Sequence, residues 1–247
     1  MILKKGSFGK RKIYYRYLKS KKNNIDYYVF FHGVFGSSLK DRYVQIAKRI
    51  TEENIGNAFL FESSRKEYTF EKKTENFEDY VKTFAGKTFK DELSDVLEVF
   101  NFFLGRIIKN QNEARLHFVG FSLGGTLLSY LIPKYGHMIK NIYLFGSGIT
   151  TKGSDRPILS SYPKKEDILS NFSCYQGNIY LVQGTKDIVV PRNEARKIIS
   201  RAKKAFFRSL FIVRGADHRF LFIDGKPQEA YFNELILNIL KASRSFT

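Results

Sequence analysis

The 247-residue sequence has one cysteine, Cys174. No disulfide can form within the chain and no cysteine-based metal site is available, which fits a reducing compartment. Tryptophan is absent, proline occurs five times, and no uninterrupted apolar stretch approaches the roughly 20 residues of a membrane-spanning helix. The N-terminal MILKKGSFGKRKIYYRY carries charges with no apolar segment behind them. The expectation is a soluble, cytoplasmic chain without a secretory signal.

Acidic residues are also scarce. Against 42 Lys and Arg stand 24 Asp and Glu, a formal net charge of +18. Nine basic and no acidic residues precede Asp26, and Arg192 to Arg208 holds seven basic residues against one Glu. Such patches attract polyanions through their summed field. No nucleic-acid signature accompanies the charge, so nucleic acid is set aside as a partner. Weak association with an anionic membrane surface is kept as an alternative to plain solubility.

What the chain does have is apolar and aromatic material, 43% and 16% of residues, enough for one large packed core. Short apolar runs recur between longer segments of helical period: 27–31 (YYVFF), 58–61 (AFLF), 116–120 (LHFVG), 142–145 (IYLF), 179–183 (IYLVQ) and 210–213 (LFIV). Strands buried on both faces read this way, so the fold class is α/β: a mostly parallel central sheet of six core strands flanked by helices. Residues 12–17, with Ile2 and Leu3, are expected to add an antiparallel edge hairpin. A helix is predicted over 88–109, capped by Thr88, with Phe89, Leu93, Val96, Leu97, Phe100, Phe103, Leu104 and Ile107 on its inner face. A second follows Pro191, with Ala195, Ile198, Ile199, Ala202 and Phe206 on one stripe and the basic residues mostly off it. A last one runs from about Pro227 to Ala242, using Tyr231, Leu235, Ile236 and Ile239 to cover the sheet. One domain is expected over 1–247. Two long connections, 62–87 and 147–177, are expected to wall the site, with 148–177 as a short lid or cap insertion.

At 116–125, LHFVGFSLGG, an apolar run ends in Gly-x-Ser-x-Gly and a helical pattern begins. Glycines two before and two after Ser122 leave room for a sharp strand-to-helix turn that exposes the hydroxyl. A serine hydroxyl is a poor nucleophile near neutral pH and needs a base. Of the four histidines, His117 lies within a strand and His137 ends a helix. His218 follows the last strand in GADH, where a loop can reach back over the sheet, and is the candidate base. Asp187, after IYLVQ in GTKD, is the candidate orienting acid; Asp217, Asp155 and Asp167 are its rivals. The main-chain N–H of Leu123 and that of Val34, with Phe35 as the alternative, are candidate donors to a developing oxyanion. His32 is expected to be structural.

The motifs HGVFGSS, GFSLGG, GTKD and GADH, each after a β-like run and in the chain order Ser, Asp, His, resemble the α/β-hydrolase fold family over about residues 25–242. The resemblance implies Ser122 as nucleophile, His218 as general base and acid, Asp187 as orienter, and Val34 and Leu123 as oxyanion hole, with no cofactor and no metal. It implies hydrolysis of a small-molecule ester through an acyl-enzyme, with carboxylic esters of small to medium acyl groups as the expected substrates. Aromatic walls are expected from Phe35 and Phe121, with Tyr162, Phe172 and Tyr175 as further candidates. The alternatives are a lipase, lysophospholipase or thioesterase acting at anionic membranes, or a non-catalytic hydrolase-fold binding protein.

Overall fold

The computed structural model describes residues 2–35, 41–65, 81–82, 84–151 and 155–243. Its centre is an eight-stranded sheet made of β1 (Ile2–Lys5), β2 (Lys12–Leu18), β3 (Asp26–Phe31), β4 (Asn57–Glu62), β5 (Arg115–Phe121), β6 (Ile139–Phe145), β7 (Asn178–Gly184) and β8 (Phe207–Val213). The spatial order is β1-β2-β4-β3-β5-β6-β7-β8. Strands β4, β3, β5, β6, β7 and β8 run parallel, and the β1–β2 hairpin adds an antiparallel edge. All six expected core strands and the edge hairpin are present.

Alternation along the strands divides the core between two faces. Val29, Phe31, Phe59, Phe61, Leu116 and Phe118 join one apolar cluster, and Tyr28, Phe30, Ala58, Leu60, Val119 and Phe121 join the other. The first face is covered by α2 (Phe89–Phe102), α3 (Leu123–Ser129), the short α4 (Pro157–Ser160), α5 (Lys165–Ser173) and α6 (Arg192–Arg201) through residues such as Phe100, Leu127, Ile158, Ile168 and Ile198. The second is covered by α1 (Asp41–Glu52) and α7 (Glu229–Ala242) through Val44, Ala47, Phe232, Ile236 and Leu240. Among the described residues no helix is long and apolar enough to cross a membrane.

Helix α2 starts at the predicted cap. The Thr88 side chain accepts from Asp91 N–H at 3.2 Å, and the Asp91 carboxylate accepts from Thr88 N–H at 2.9 Å, a reciprocal capping box. Its inner face is rotated from the expected one. Leu97 is 37% exposed, while Val99, Glu92 and Asp95 are buried. The two carboxylates turn inward because buried Arg65 and Lys87 meet them there. After Phe102 the ladder widens into a π-turn over Phe103–Ile107. In α6, Arg196, Lys197 and Arg201 are exposed, as are Lys203 and Lys204 just beyond it, whereas Phe206 lies past the helix and is 81% exposed rather than part of its stripe. In α7 the covering face is Phe232, Ile236, Leu237, Ile239 and Leu240, and Tyr231 faces outward.

The chain moves outward from β3 to β4 and then returns to place β5 on the other side of β3. The connections leaving β3 and β5 therefore diverge above two adjacent strand ends. Such a switch point opens a crevice at the carboxyl edge of a parallel sheet.

Candidate active site

Ser122 stands at that crevice between β5 and α3, with φ 52° and ψ −121°. This is a left-handed conformation that costs a non-glycine residue of order 1–3 kcal/mol and persists only where its surroundings enforce it. They do: Ser122 N–H donates to Phe145 O at 2.9 Å, and Gly125 N–H donates to Ser122 O at 3.0 Å. The flanking glycines are required by close approach. A Cβ on Gly120 would lie 2.8 Å from the Gly125 Cα, and one on Gly124 would overlap the Phe31 carbonyl.

Three distant segments meet at the serine. His218 Nε2 lies 3.0 Å from Ser122 Oγ, and His218 Nδ1 lies 2.9 Å from Asp187 Oδ2. An ionised carboxylate accepts only, so Nδ1 carries the proton and Nε2 is left to accept from the hydroxyl. The His218 side chain is 20% exposed, open to a reactant, and the Asp187 carboxylate is fully buried. Four donors hold that carboxylate. Val189 N–H and Val190 N–H reach Oδ1 at 2.9 and 2.8 Å, while the Gln183 amide and the His218 ring reach Oδ2. The sequence pattern puts Gln183 in a strand but does not show this contact; a polar residue after the apolar run Ile179–Val182, near the end of a fully buried strand, is the available signal.

The rival groups lie elsewhere. Asp217 accepts from Arg219 N–H and Leu221 N–H and shapes its own loop. Asp155 and Asp167 are exposed. His117 is buried between Asp26, 2.9 Å away, and Asn141, 3.0 Å away. His137 is exposed on a short 3-10 turn. His32 is buried, with Nδ1 donating to Gly33 O at 3.0 Å. Burial, followed by the nearby Arg65 charge, pushes its pKa down to about 3, so it is neutral at ordinary pH.

Gly33 leaves room for the serine. A Cβ there would lie 3.1 Å from Ser122 Cβ and 3.7 Å from its Oγ. The next residue, Val34, is nearly buried, and Leu123 opens α3, where helix geometry supplies no acceptor for its N–H. Both candidate oxyanion donors thus belong to segments that flank Ser122. Phe35 is 36% exposed, with its ring near Phe84 and under the Arg156 guanidinium, which lies 4.7 Å from the ring centre.

The other expected walls need correction. Phe121 is 6% exposed and stacks on Phe145 in the core beneath α1 and α7. Alternation along β5 sends it, with Val119, into the core under α1 and α7, so it does not line the site. Phe172 and Tyr175 are also core residues, at 1% and 0%. Tyr162 is half-buried, and its hydroxyl meets Thr126 of α3. Together with Ile149, Thr150 and Leu159 it lines a cavity of about 460 Å³. The segment 148–177, expected as a lid, is pinned by buried Ile149, Ile158, Ile168, Phe172 and Tyr175; its residues 152–154 lie outside the described residues. Of the other long connection, 66–80 and 83 lie outside them, as do 36–40 of the HGVFGSS loop. Among the described residues no group of three or more His, Cys, Asp or Glu side chains could hold a metal ion.

No family model matches the sequence, and no curated protein matches it. Solved structures do. Est1E from Butyrivibrio proteoclasticus is similar over 99% of this chain and 96% of its own, with a TM-score of 0.67 at 14% identity, and a further structure of Est1E holds ferulic acid. A monoacylglycerol lipase from Paleococcus ferrophilus matches 92% of this chain and 98% of its own, with a TM-score of 0.64 at 12% identity. A structure from a study of carboxylesterases of Nitrososphaera gargenis matches 98% and 100%, with a TM-score of 0.65 at 13% identity. At such identities the likeness is one of fold, and the fold is that of the α/β-hydrolases.

Proposed function

We propose that this α/β-hydrolase-fold chain is a serine hydrolase that cleaves carboxylic esters of small to medium acyl groups. The observation that carries the reading is the continuous path from Ser122 Oγ through the His218 ring to the buried Asp187 carboxylate, with links of 3.0 and 2.9 Å. In this reading His218 Nε2 takes the hydroxyl proton as Ser122 Oγ attacks the ester carbonyl. The Val34 and Leu123 N–H groups receive the charge that develops on the carbonyl oxygen. The imidazolium gives its proton to the departing alcohol and leaves an acyl group on Ser122. A water activated by His218 then attacks the acyl carbon, the acid departs, and the serine proton is restored. Asp187 fixes the tautomer and stabilises the imidazolium without taking the proton.

Phe35, exposed beside the oxyanion loop and flanked by Phe84, suits an aromatic or short apolar acyl group. The ferulic acid in a structurally similar esterase supports including aromatic esters among the trial substrates. The test is labelling with a serine-directed fluorophosphonate, followed by hydrolysis of chromogenic esters of rising acyl length and of one cinnamoyl-type ester. Wild-type protein should be labelled and active, and Ser122→Ala should be neither. Equal labelling of the two would remove the reading.

A second reading keeps the chemistry and moves it to a lipid surface. It is favoured by the net charge of +18 and the exposed Arg196, Lys197, Arg201, Lys203 and Lys204 in and just after α6. Co-sedimentation with vesicles containing phosphatidylserine should then be lost on raising the salt. Equal recovery with neutral vesicles would sink it.

A further inference from the structure

Arg65 follows β4 through Ser63 and Ser64 and is completely buried. Its Nε donates to Glu92 Oε2 at 3.0 Å and its Nη2 to Glu92 Oε1 at 2.5 Å, a two-pronged pair with α2. Its remaining terminal nitrogen, Nη1, donates to Gly33 O at 2.9 Å and also to Val34 O. Glu92 is itself fixed, by Lys87 Nζ at 2.7 Å and Ser63 Oγ at 2.9 Å. A buried ion pair stabilises a fold little better than apolar residues of similar size. What it supplies here is direction.

In a trans peptide the C=O and N–H lie in one plane and point in opposite directions. Holding Gly33 O therefore sets the direction of Val34 N–H, and holding Val34 O sets that of Phe35 N–H. These two peptides lie in the turn that follows β3, beside Ser122, where a Cβ on Gly33 would lie 3.1 Å from the Ser122 Cβ. They include both residues weighed as the second oxyanion donor. Two consecutive carbonyls drawn to one guanidinium turn two consecutive N–H groups away from it together.

We propose that Arg65, anchored by Glu92, is a positioning residue that aims the N–H groups of Val34 and Phe35 at the oxyanion formed on attack by Ser122. The proposal rests on the hydrolase reading. Misaimed donors weaken the transition state more than the bound ester, so the effect belongs to kcat rather than KM.

The test uses the full chain as wild type, Arg65→Lys and Glu92→Gln. Lysine keeps a cation for Glu92 but cannot hold the carboxylate and two carbonyls at once. Active serines are counted by fluorophosphonate labelling to completion, and ester turnover is expressed per labelled serine. Arg65→Lys should lower kcat about 10- to 100-fold, less than or equal to the loss of a whole oxyanion donor, with KM within about threefold. The inhibition constant of a trifluoromethyl ketone, which forms a tetrahedral oxyanion, should rise by the same factor as kcat/KM falls. The midpoint of the pH–rate profile should not move.

A variant with fewer labelled serines but unchanged kcat per serine and unchanged ketone affinity would overturn the proposal, because Arg65 would then serve stability alone. If Arg65→Lys does not fold, Glu92→Gln decides. It keeps an acceptor for Nη2 and should show the same kcat and ketone losses at smaller size; wild-type values per serine would overturn the proposal. Wild-type protein that neither labels nor turns over esters would remove the hydrolase reading itself, and this proposal with it.

Discussion

The Gln183 side-chain amide donates to Asp187 Oδ2 at 2.8 Å, the same oxygen that faces His218 Nδ1 at 2.9 Å, and it also donates to Val190 O at 3.0 Å. One buried amide therefore ties the carboxylate to the turn that carries it. Gln183 is the last residue but one of β7, just before the turn at Thr185 and Lys186, and Asp187 returns over the strand it has just left. The contact fixes which oxygen of Asp187 serves the histidine.

Replacing Gln183 with Leu should leave Asp187 held by two backbone N–H groups at Oδ1 and by the His218 ring alone at Oδ2, with more freedom to tilt. Ester turnover should fall about tenfold through kcat, with a cost in stability of about 1–2 kcal/mol for the unpaired Val190 carbonyl. Gln183→Glu places a second carboxylate beside the first and should be worse, about 100-fold, because the two like charges compete for the same buried site. Steady-state kinetics combined with urea unfolding separates the two effects. Wild-type kcat in Gln183→Leu would show that Asp187 is oriented without the Gln183 amide.

Asp187→Asn probes the tautomer. Asparagine can keep an oxygen toward Val189 N–H and Val190 N–H, so the loop should stay folded. Its NH2 would then face His218 Nδ1 and favour the ring form with the proton on Nε2, which cannot accept from Ser122. The expected loss in kcat at neutral pH is about 10⁴-fold, with KM nearly unchanged. A loss below about tenfold would mean that His218 does not depend on Asp187 for its orientation.

Gly124→Ala tests the turn. Its Cβ would overlap the Phe31 carbonyl, which is main chain at the end of β3 and cannot swing aside. Overpacking of this kind costs about 1–3 kcal/mol or more, so thermal unfolding should shift down by several degrees and fluorophosphonate labelling should slow. Gly105→Ala is the control. Nothing lies within 4 Å of a Cβ there, and removing a helix glycine should raise stability by about 0.5–1 kcal/mol. Comparable losses in both variants would show that the overlap is not the cause.

The strands were legible because each is an apolar run short enough to cross a buried sheet, and Ser122, Asp187 and His218 were legible because each follows such a run. The sheet order was not, since nothing local says that β5 returns to the far side of β3. Arg65 was missed for a related reason. It sits in a polar stretch, and its partners Gly33, Val34 and Glu92 are about 30 residues away on either side. Phe121 was misplaced although alternation along β5 puts it, with Val119, in the core under α1 and α7. Adjacency to the serine in sequence is not adjacency in space when successive strand residues point in opposite directions.

Acid should weaken the fold well before its exposed carboxylates are neutralised. His32 has an ordinary pKa of 6.5, which is that of the unfolded chain, and about 3 in the folded one, because burial and then the Arg65 charge disfavour its protonated form. Between those values the unfolded chain binds a proton that the folded chain does not. The contribution of His32 is thus fully present above about pH 6.5 and is lost progressively toward pH 3, at up to about 1.4 kcal/mol per pH unit. His117, also lowered chiefly by burial, acts with the same sign. Glu92 adds a later loss: burial opposes its charge, but Arg65 and Lys87 outweigh burial and hold the carboxyl below its ordinary 4.5, so its share disappears only below that pH. Urea unfolding between pH 7.5 and 4.5 should show falling stability in the wild type and a shallower fall in His32→Gln, which can still donate to Gly33 O but takes up no proton. Parallel slopes for the two proteins would mean that His32 is not held neutral in the folded state.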